Sequence, residues 1–304
     1  MPAPVLRSRF APALAIAAMA AAMLIFGSNF AISRYAVLGG MTAADIVFLR
    51  YAVSGLLLLP VFARNRGFHS CAGIGWRRGL TLAAVSGAPM TMLMSIGVTF
   101  APAAHGAALG PGTVTAVGVV YGAIVAGRLP PVLTRLGLVF VLGGLAAIAG
   151  AGSASGSANV VLGDICFFLC GLLWGFYPVL LHRWGVGGIE GAAICAVLSL
   201  LFVPVYLVAF EPKLLAAGPS VLAVQVVYQG VLNGVVGLWC WGVGIRVLGA
   251  KGTQLFPPMI PVIGSLAAIP LLAEWPGPFQ VTGIALIVMG LALAALGNRP
   301  RSPV

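Results

Sequence analysis

Apolar residues run along this chain in long unbroken stretches, not in the alternating or one-faced patterns of a soluble fold. Ten stretches fall at roughly 12–36, 45–63, 79–99, 104–127, 133–151, 163–182, 191–210, 220–244, 252–273 and 279–296, separated by short polar or Gly/Pro-rich breaks. Each is long enough to cross a hydrocarbon core with some tilt. Lipid admits only helices and closed barrels, because every backbone group must be satisfied internally. Barrel strands alternate apolar and polar residues, and these runs do not. The pattern therefore predicts an all-α membrane protein of ten transmembrane helices. Arg7 and Arg9 precede the first run as they would a signal peptide, but the run continues to about Val37 and has a counterpart later in the chain. It is read as the first span.

Composition strengthens this reading. Hydrophobic residues make up 61% of the chain and charged residues 7%, with a mean hydropathy of +1.11. A soluble domain carries roughly a quarter charged residues, so the outer surface must face lipid. The five cysteines lie mostly inside apolar runs without the His or second Cys pair of a zinc site. Neither a metal nor a cofactor is expected.

The net charge of +11 would suit a nucleic-acid partner if the basic residues were clustered. Instead, thirteen of the sixteen fall in alternate inter-span segments, from Arg7 and Arg9 through Arg64, Arg66, Arg77 and Arg78 to Arg299 and Arg301. Asp45, Asp164, Glu211 and Glu274 lie on the other side. The positive-inside rule then predicts cytoplasmic termini, here in a bacterial inner membrane. The charge expresses topology and implies no nucleic-acid partner.

Shifted by 146 residues, the second half echoes the first. Gly106, Leu109, Pro111, Gly118 and Pro130 meet Gly252, Leu255, Pro257, Gly264 and Pro276; Gly137 and Gly144 meet Gly283 and Gly290; Phe26-Gly27 matches Trp174-Gly175 at a similar shift. Five spans per half is an odd number, so the second half must enter the membrane inverted, as in many secondary transporters.

The stretches LIFGSNFAISRYAV and MTAADIVFLRYAVSGLLLLP resemble the opening of an EamA-type half, and LGDICFFLCGLLWGFYPVLL resembles the opening of a second. The chain is thus similar to ten-helix members of the drug/metabolite transporter superfamily, with one five-helix repeat over 12–151 and an inverted one over 160–297. The resemblance implies a transporter and leaves the substrate open, since such proteins carry amino acids, sugars, vitamins, purines and drugs. Many bacterial members export amino acids, an aromatic-amino-acid group among them.

Candidate substrate-binding residues follow from what is costly in lipid. Spans four and nine carry prolines at matching places, Pro111 within LGPGT and Pro257 after Gln254 within LFPPMIP. Both are expected to break, because proline removes a donor and freed carbonyls must line a cavity. Gln225, Gln229 and Asn233 recur every four residues on span eight, and are expected to face the interior as substrate ligands or interhelical bonds. Ser28 and Asn29 in span one, Tyr121 in span four, and Trp174 and Tyr177 before a break at Pro178 complete the set; the aromatics serve as a stacking wall or as ordinary packing. All five acids sit at span ends, so His105 and Glu274 are the candidates for coupling. Arg50 is expected to pair with Asp45 or to snorkel to the interface, leaving no countercharge in the pathway.

These readings converge on a monomeric secondary transporter whose partners are the bilayer and a small organic substrate, exporting neutral or zwitterionic metabolites of the amino-acid kind. The alternatives are an uptake facilitator for a vitamin or sugar and a membrane-embedded enzyme, the latter disfavoured by only three histidines and no acidic pair. The orientation is testable directly. Alkaline phosphatase fused after Ser155 is expected to be active and fused after Arg135 inactive; the reverse pair overturns the assignment.

Overall fold

The structure, a computed structural model, describes residues 11–154, 158–253 and 255–297. Among these, nine helical segments are long and apolar enough to cross a membrane, and a tenth, Met259–Leu272, is a shorter apolar helix. The elements are α1 (Ala11–Leu38), α2 (Ala43–Arg64), a short α3 (Gly67–Ser70), α4 (Trp76–Ser86), α5 (Ala88–Phe100), α6 (Ala103–Ala126), α7 (Val132–Ala154), α8 (Ala158–Trp184), α9 (Gly188–Leu198), α10 (Phe202–Ala209), α11 (Gly218–Gln225), a π-helical segment Val226–Gly237, α12 (Leu238–Thr253), α13 (Met259–Leu272) and α14 (Pro278–Gly297). Large apolar side chains such as Val208, Leu129 and Ile124 stand exposed around the bundle, as expected where the surroundings are lipid. The chain is a multi-pass, all-α membrane protein. Below, the terminus end is the side of the bundle from which α1 starts and to which α14 returns; the far end is the other.

Glycine pairs bring the two halves together. A Cβ at Gly137 of α7 would stand 2.5 Å from the Gly290 carbonyl of α14, and one at Gly290 would stand 2.6 Å from the Gly137 carbonyl. Likewise, a Cβ at Gly144 would meet the Gly283 carbonyl at 2.6 Å, and one at Gly283 the Gly144 carbonyl at 3.0 Å. Gly137 corresponds to Gly283 in the repeat and Gly144 to Gly290, so each contact maps onto the other. Such reciprocity is the mark of an isologous, two-fold contact. The same relation holds across the first and fourth spans. A Cβ at Gly27 would lie 2.8 Å from Ile263 of α13, and one at Gly175 of α8 would lie 2.8 Å from Val117 of α6. Without a hydrophobic drive between helices in lipid, small residues that permit close backbone approach supply the packing.

Two expected helix breaks are absent, and the one expected in span nine is present. Span four does not break: α6 runs continuously from Ala103 to Ala126 with Pro111 inside and buried. The segment around it lies in a close crossing instead, since a Cβ at Gly171 of α8 would stand 2.7 Å from the Gly110 carbonyl. Nor does Pro178 break span six, because α8 continues through it to Trp184. Span nine, the run 252–273, breaks as expected: 252–253 end α12 and its own helix begins at Met259. Turns over 255–258, containing Pro257 and Pro258, follow the end of α12. At 1.5 Å per residue the fourteen-residue α13 covers only about 21 Å, so irregular backbone precedes it, as the prolines dictate. Between spans five and six, α7 reaches Ala154 and α8 begins at Ala158; residues 155–157 lie outside the described ones.

Candidate functional site

The interior polar site begins with the start of α2. Thr42 and Asp45 form a reciprocal capping box: Asp45 N–H donates to Thr42 Oγ1 at 3.2 Å, and Thr42 N–H donates to Asp45 Oδ2 at 2.7 Å. The remaining carboxylate oxygen accepts from the Tyr206 hydroxyl and from Lys213 N–H. Asp45 is thereby fully engaged as a helix cap and makes no bond to Arg50.

Arg50 lies seven residues beyond Ala43, about 10 Å along the helix. It neither snorkels nor pairs with Asp45, and the expectation of an uncharged interior is overturned. The side chain is 7% exposed. Nε donates to Gln229 Oε1 at 3.0 Å, Nη2 donates to the same oxygen and to Asn29 Oδ1 at 2.9 Å, and Nη1 reaches Thr91 Oγ1 at 3.4 Å. Every partner is neutral. Among the described residues the side chains that meet a carboxylate in a bridge are Arg34, with Glu274, and His105, with Asp164, so no carboxylate contacts the Arg50 guanidinium. A buried charge without a counterion costs several kcal/mol, partly recovered through hydrogen bonds.

The cluster continues outward from those partners. Gln229 Nε2 donates to Ser33 Oγ at 2.9 Å and to Gln225 Oε1 at 3.2 Å, and Gln225 Nε2 donates to the Ile32 carbonyl at 2.9 Å. Asn29 Nδ2 points at Met94 Sδ, 3.0 Å away. Thr91 and the Tyr51 hydroxyl are 2.7 Å apart. Ser28 shares a 2.7 Å bond with Tyr228, whose hydroxyl donates to the Ile25 carbonyl. Spans one, two, three and eight therefore converge, three from the first repeat and one from the second.

The backbone of span eight makes this convergence tight. Residues 226–237 form a π-helix, a rare geometry that recurs at functional sites. On it, a Cβ at Gly230 would stand 2.5 Å from Val53 Cγ1, and one at Gly234 would stand 2.5 Å from Ser54 Cβ. These glycines let the segment lie against α2 and deliver Gln229 to Arg50.

Of the residues expected to bind substrate, Ser28, Asn29, Gln225 and Gln229 are gathered here. Asn233 lies further along the π-helix, half-buried and without a hydrogen bond to a described residue. Tyr177 packs beside the apolar cluster of α2, α4 and α9 that contains Tyr51. Trp174 and Tyr121 are half-buried on the terminus-end halves of α8 and α6, away from the cluster. Pro111 is inside the packed crossing of α6 and α8, Pro257 lies in the turns before α13, and Gln254 lies outside the described residues. Arg50, Thr91, Ser33, Tyr51 and Tyr228 were not anticipated. Arg50 carried a usable signal, as the basic residue deepest inside a run.

His105 and Glu274 stand at the far end, each in a bridge. Glu274 pairs with Arg34 of α1 and accepts from Ala103 N–H of α6 at 3.0 Å. Arg34 also donates to the Val98 carbonyl at 2.7 Å. His105 Nδ1 is 2.7 Å from Asp164 Oδ1, joining α6 to α8, and its Nε2 is 2.7 Å from Gln280 Nε2. Gly277 N–H occupies the Gln280 carbonyl oxygen, so the Gln280 amide donates to Nε2, and Nδ1 carries the proton given to Asp164. The far end is thus cross-linked by polar bonds, and Ala103–Thr113 of α6 is buried throughout. At the terminus end, no residue of α6 after Thr113 and none of α8 after Gly175 is buried.

A two-repeat helical bundle with a polar interior drawn from both halves is the architecture of a membrane transporter. The EamA-like transporter family model matches the chain twice, over residues 13–150 and 161–296. The chain belongs to that family, within the drug/metabolite transporter superfamily. A solved crystal structure covers 95% of this chain and 100% of its own at 20% identity, with a TM-score of 0.63, and shows the same fold. No curated protein matches.

The network makes the two amides unequal. Gln229→Leu strips Arg50 of its main acceptor and is expected to cost about 3 kcal/mol of stability, as loss of a buried charge's partner does. Asn233→Leu is expected to change stability by less than about 0.5 kcal/mol. Unfolding of the two purified variants beside the wild type checks this; equal stability of the two contradicts the network.

Proposed function

We propose that this protein is a secondary transporter that exports small organic metabolites, amino acids or related zwitterionic compounds, across the bacterial inner membrane by alternating access. The observation that carries the reading is the buried polar cluster joining span eight of the second repeat to spans one to three of the first. A substrate held between repeats is exchanged across the membrane when the repeats rock about it. The amides of Asn29, Gln225 and Gln229 offer both donors and acceptors, which suits a ligand carrying opposite charges or several polar groups.

The direction rests on the asymmetry between the two ends. Arg34–Glu274 and His105–Asp164–Gln280 bolt the far end. Under the repeat offsets, Glu274 corresponds to Arg128 and Arg34 to His182, while Asp164 corresponds to Ile16. The terminus end therefore has no equivalent carboxylates with which to bolt itself. With cytoplasmic termini, as the basic loops favour, the end without such carboxylate bridges among the described residues faces the cytoplasm and is read as the loading side. Release outward then requires the polar bridges to part, which places His105 and Glu274 at the moving gate.

Purified protein is to be screened by thermal shift against amino acids, sugars and vitamins, and the hits tested for counterflow in proteoliposomes. Stabilisation by amino-acid-like compounds, with counterflow that needs no ATP, is the expected result. Hits confined to sugars or vitamins would favour the uptake alternative, and absence of any counterflow would overturn the transporter reading at this site.

A further inference from the structure

Arg50 is a buried guanidinium surrounded by neutral groups, and its donors are not all used. Arginine has five N–H donors. The bonds to Gln229, Asn29 and Thr91 engage four, the last at a long 3.4 Å. The remaining Nη1 donor has no partner beyond the neighbouring Tyr51 hydroxyl, and the Thr91 bond is weak. A second buried polar group nearby also lacks a partner. Ser95 lies one helical turn from Thr91 on the same face of α5, is 0% exposed, and its Oγ bonds to nothing among the described residues. Buried polar groups are ordinarily satisfied, and a group left open calls for an explanation. A charged guanidinium with spare donors beside an open hydroxyl is half of a recognition site for an anion.

From this we infer that Arg50 is the receptor for a single carboxylate on the transported substrate, an assignment that rests on the transport reading above. The planar fork of arginine matches a carboxylate in two parallel bonds. Thr91 and Ser95 lie where a bound anion would find hydroxyl donors, and Asn29 Oδ1 and Gln225 Oε1, each with one donor in this structure, are acceptors for a substrate ammonium. A carboxylate is favoured over a phosphate by charge. The site supplies one positive charge, so a monoanionic group leaves it neutral, whereas a phosphate monoester leaves a net negative charge in the bundle interior. The overall substrate is then a monocarboxylate, zwitterionic if it also bears an amine. This accounts for a fixed charge in a pathway otherwise lined by amides and hydroxyls: the charge is compensated when the substrate is bound.

The test uses the full-length wild-type protein and measures dissociation constants by thermal shift in detergent. The probes are the twenty common amino acids and a panel of simple monocarboxylates. Each is matched with its amide and, for amino acids, its decarboxylated amine; O-phosphoserine is set beside serine. A best acid that binds at least about tenfold tighter than its own amide and amine, with serine no weaker than O-phosphoserine, is the expected result. In Arg50→Gln, acid and amide are expected to bind alike, and Arg50→Lys is expected to retain part of the preference. Because the acid–amide comparison is made on the wild type, poor folding of a variant does not blunt it. Acid and amide binding equally to the wild type would overturn the carboxylate receptor while leaving the transporter reading intact, as would binding confined to compounds without a carboxylate. A preference for O-phosphoserine over serine would replace the carboxylate with a phosphate. If no compound of this panel or of the wider metabolite screen binds, the site itself falls, and this inference with it.

Discussion

A guanidinium cannot be taken out of water without partners, and the interior of this bundle is arranged around that constraint. Desolvating a charge costs several kcal/mol, and each hydrogen bond to it returns only about 1.5–3. Arg50 meets this cost with neutral acceptors on three other spans: Asn29 on α1, Thr91 on α5 and Gln229 on the π-helix. Those partners must come close, which requires close backbones. Gly230 and Gly234 against α2 supply part of that, and the π-helical geometry sets the turn on which Gln229 projects. Gln229 is in turn held by Ser33 and Gln225. The charge, the glycines and the helix type are consequences of one another.

The same constraint separates the middle of the bundle from its far end. There, both bridges pair a cation or histidine with a carboxylate, Arg34 with Glu274 and His105 with Asp164. The Arg34–Glu274 pair is internally compensated, whereas His105 accepts at Nε2 and leaves Asp164 Oδ2 buried without a partner among the described residues. The central guanidinium has no such counterion. Under the proposed reading, the far end is tied by bridges that form without a substrate, whereas the Arg50 centre is completed by a bound anion.

Much of this was legible in the chain before any coordinates. The length of the apolar runs dictates helices across lipid, the basic loops alternate, and the offset of 146 residues picks out Gly137, Gly144, Gly283 and Gly290, the glycines at which α7 and α14 meet. Burial of Asn29, Gln225 and Gln229 follows from the cost of showing an amide to lipid. What was not legible depends on contacts distant in sequence. Proline predicts a broken helix locally, which holds at Pro257, where the break stands before α13. It fails at Pro111, which sits in a crossing with Gly171 of α8 that no local rule reveals. The π-helix leaves no signature in a pattern of amides every four residues. Arg50 looked like an interfacial residue because it lies two turns from a helix start; only Gln229, 179 residues away, shows that it points inward.

The central claim is that Arg50 is compensated by the substrate. A structure of the protein bound to its tightest-binding monocarboxylate tests this most directly. The account predicts carboxylate oxygens about 2.7–2.9 Å from the Arg50 guanidinium nitrogens, with the acid seated between the two repeats. An acid bound elsewhere, with Arg50 still held only by Gln229, Asn29 and Thr91, would contradict it.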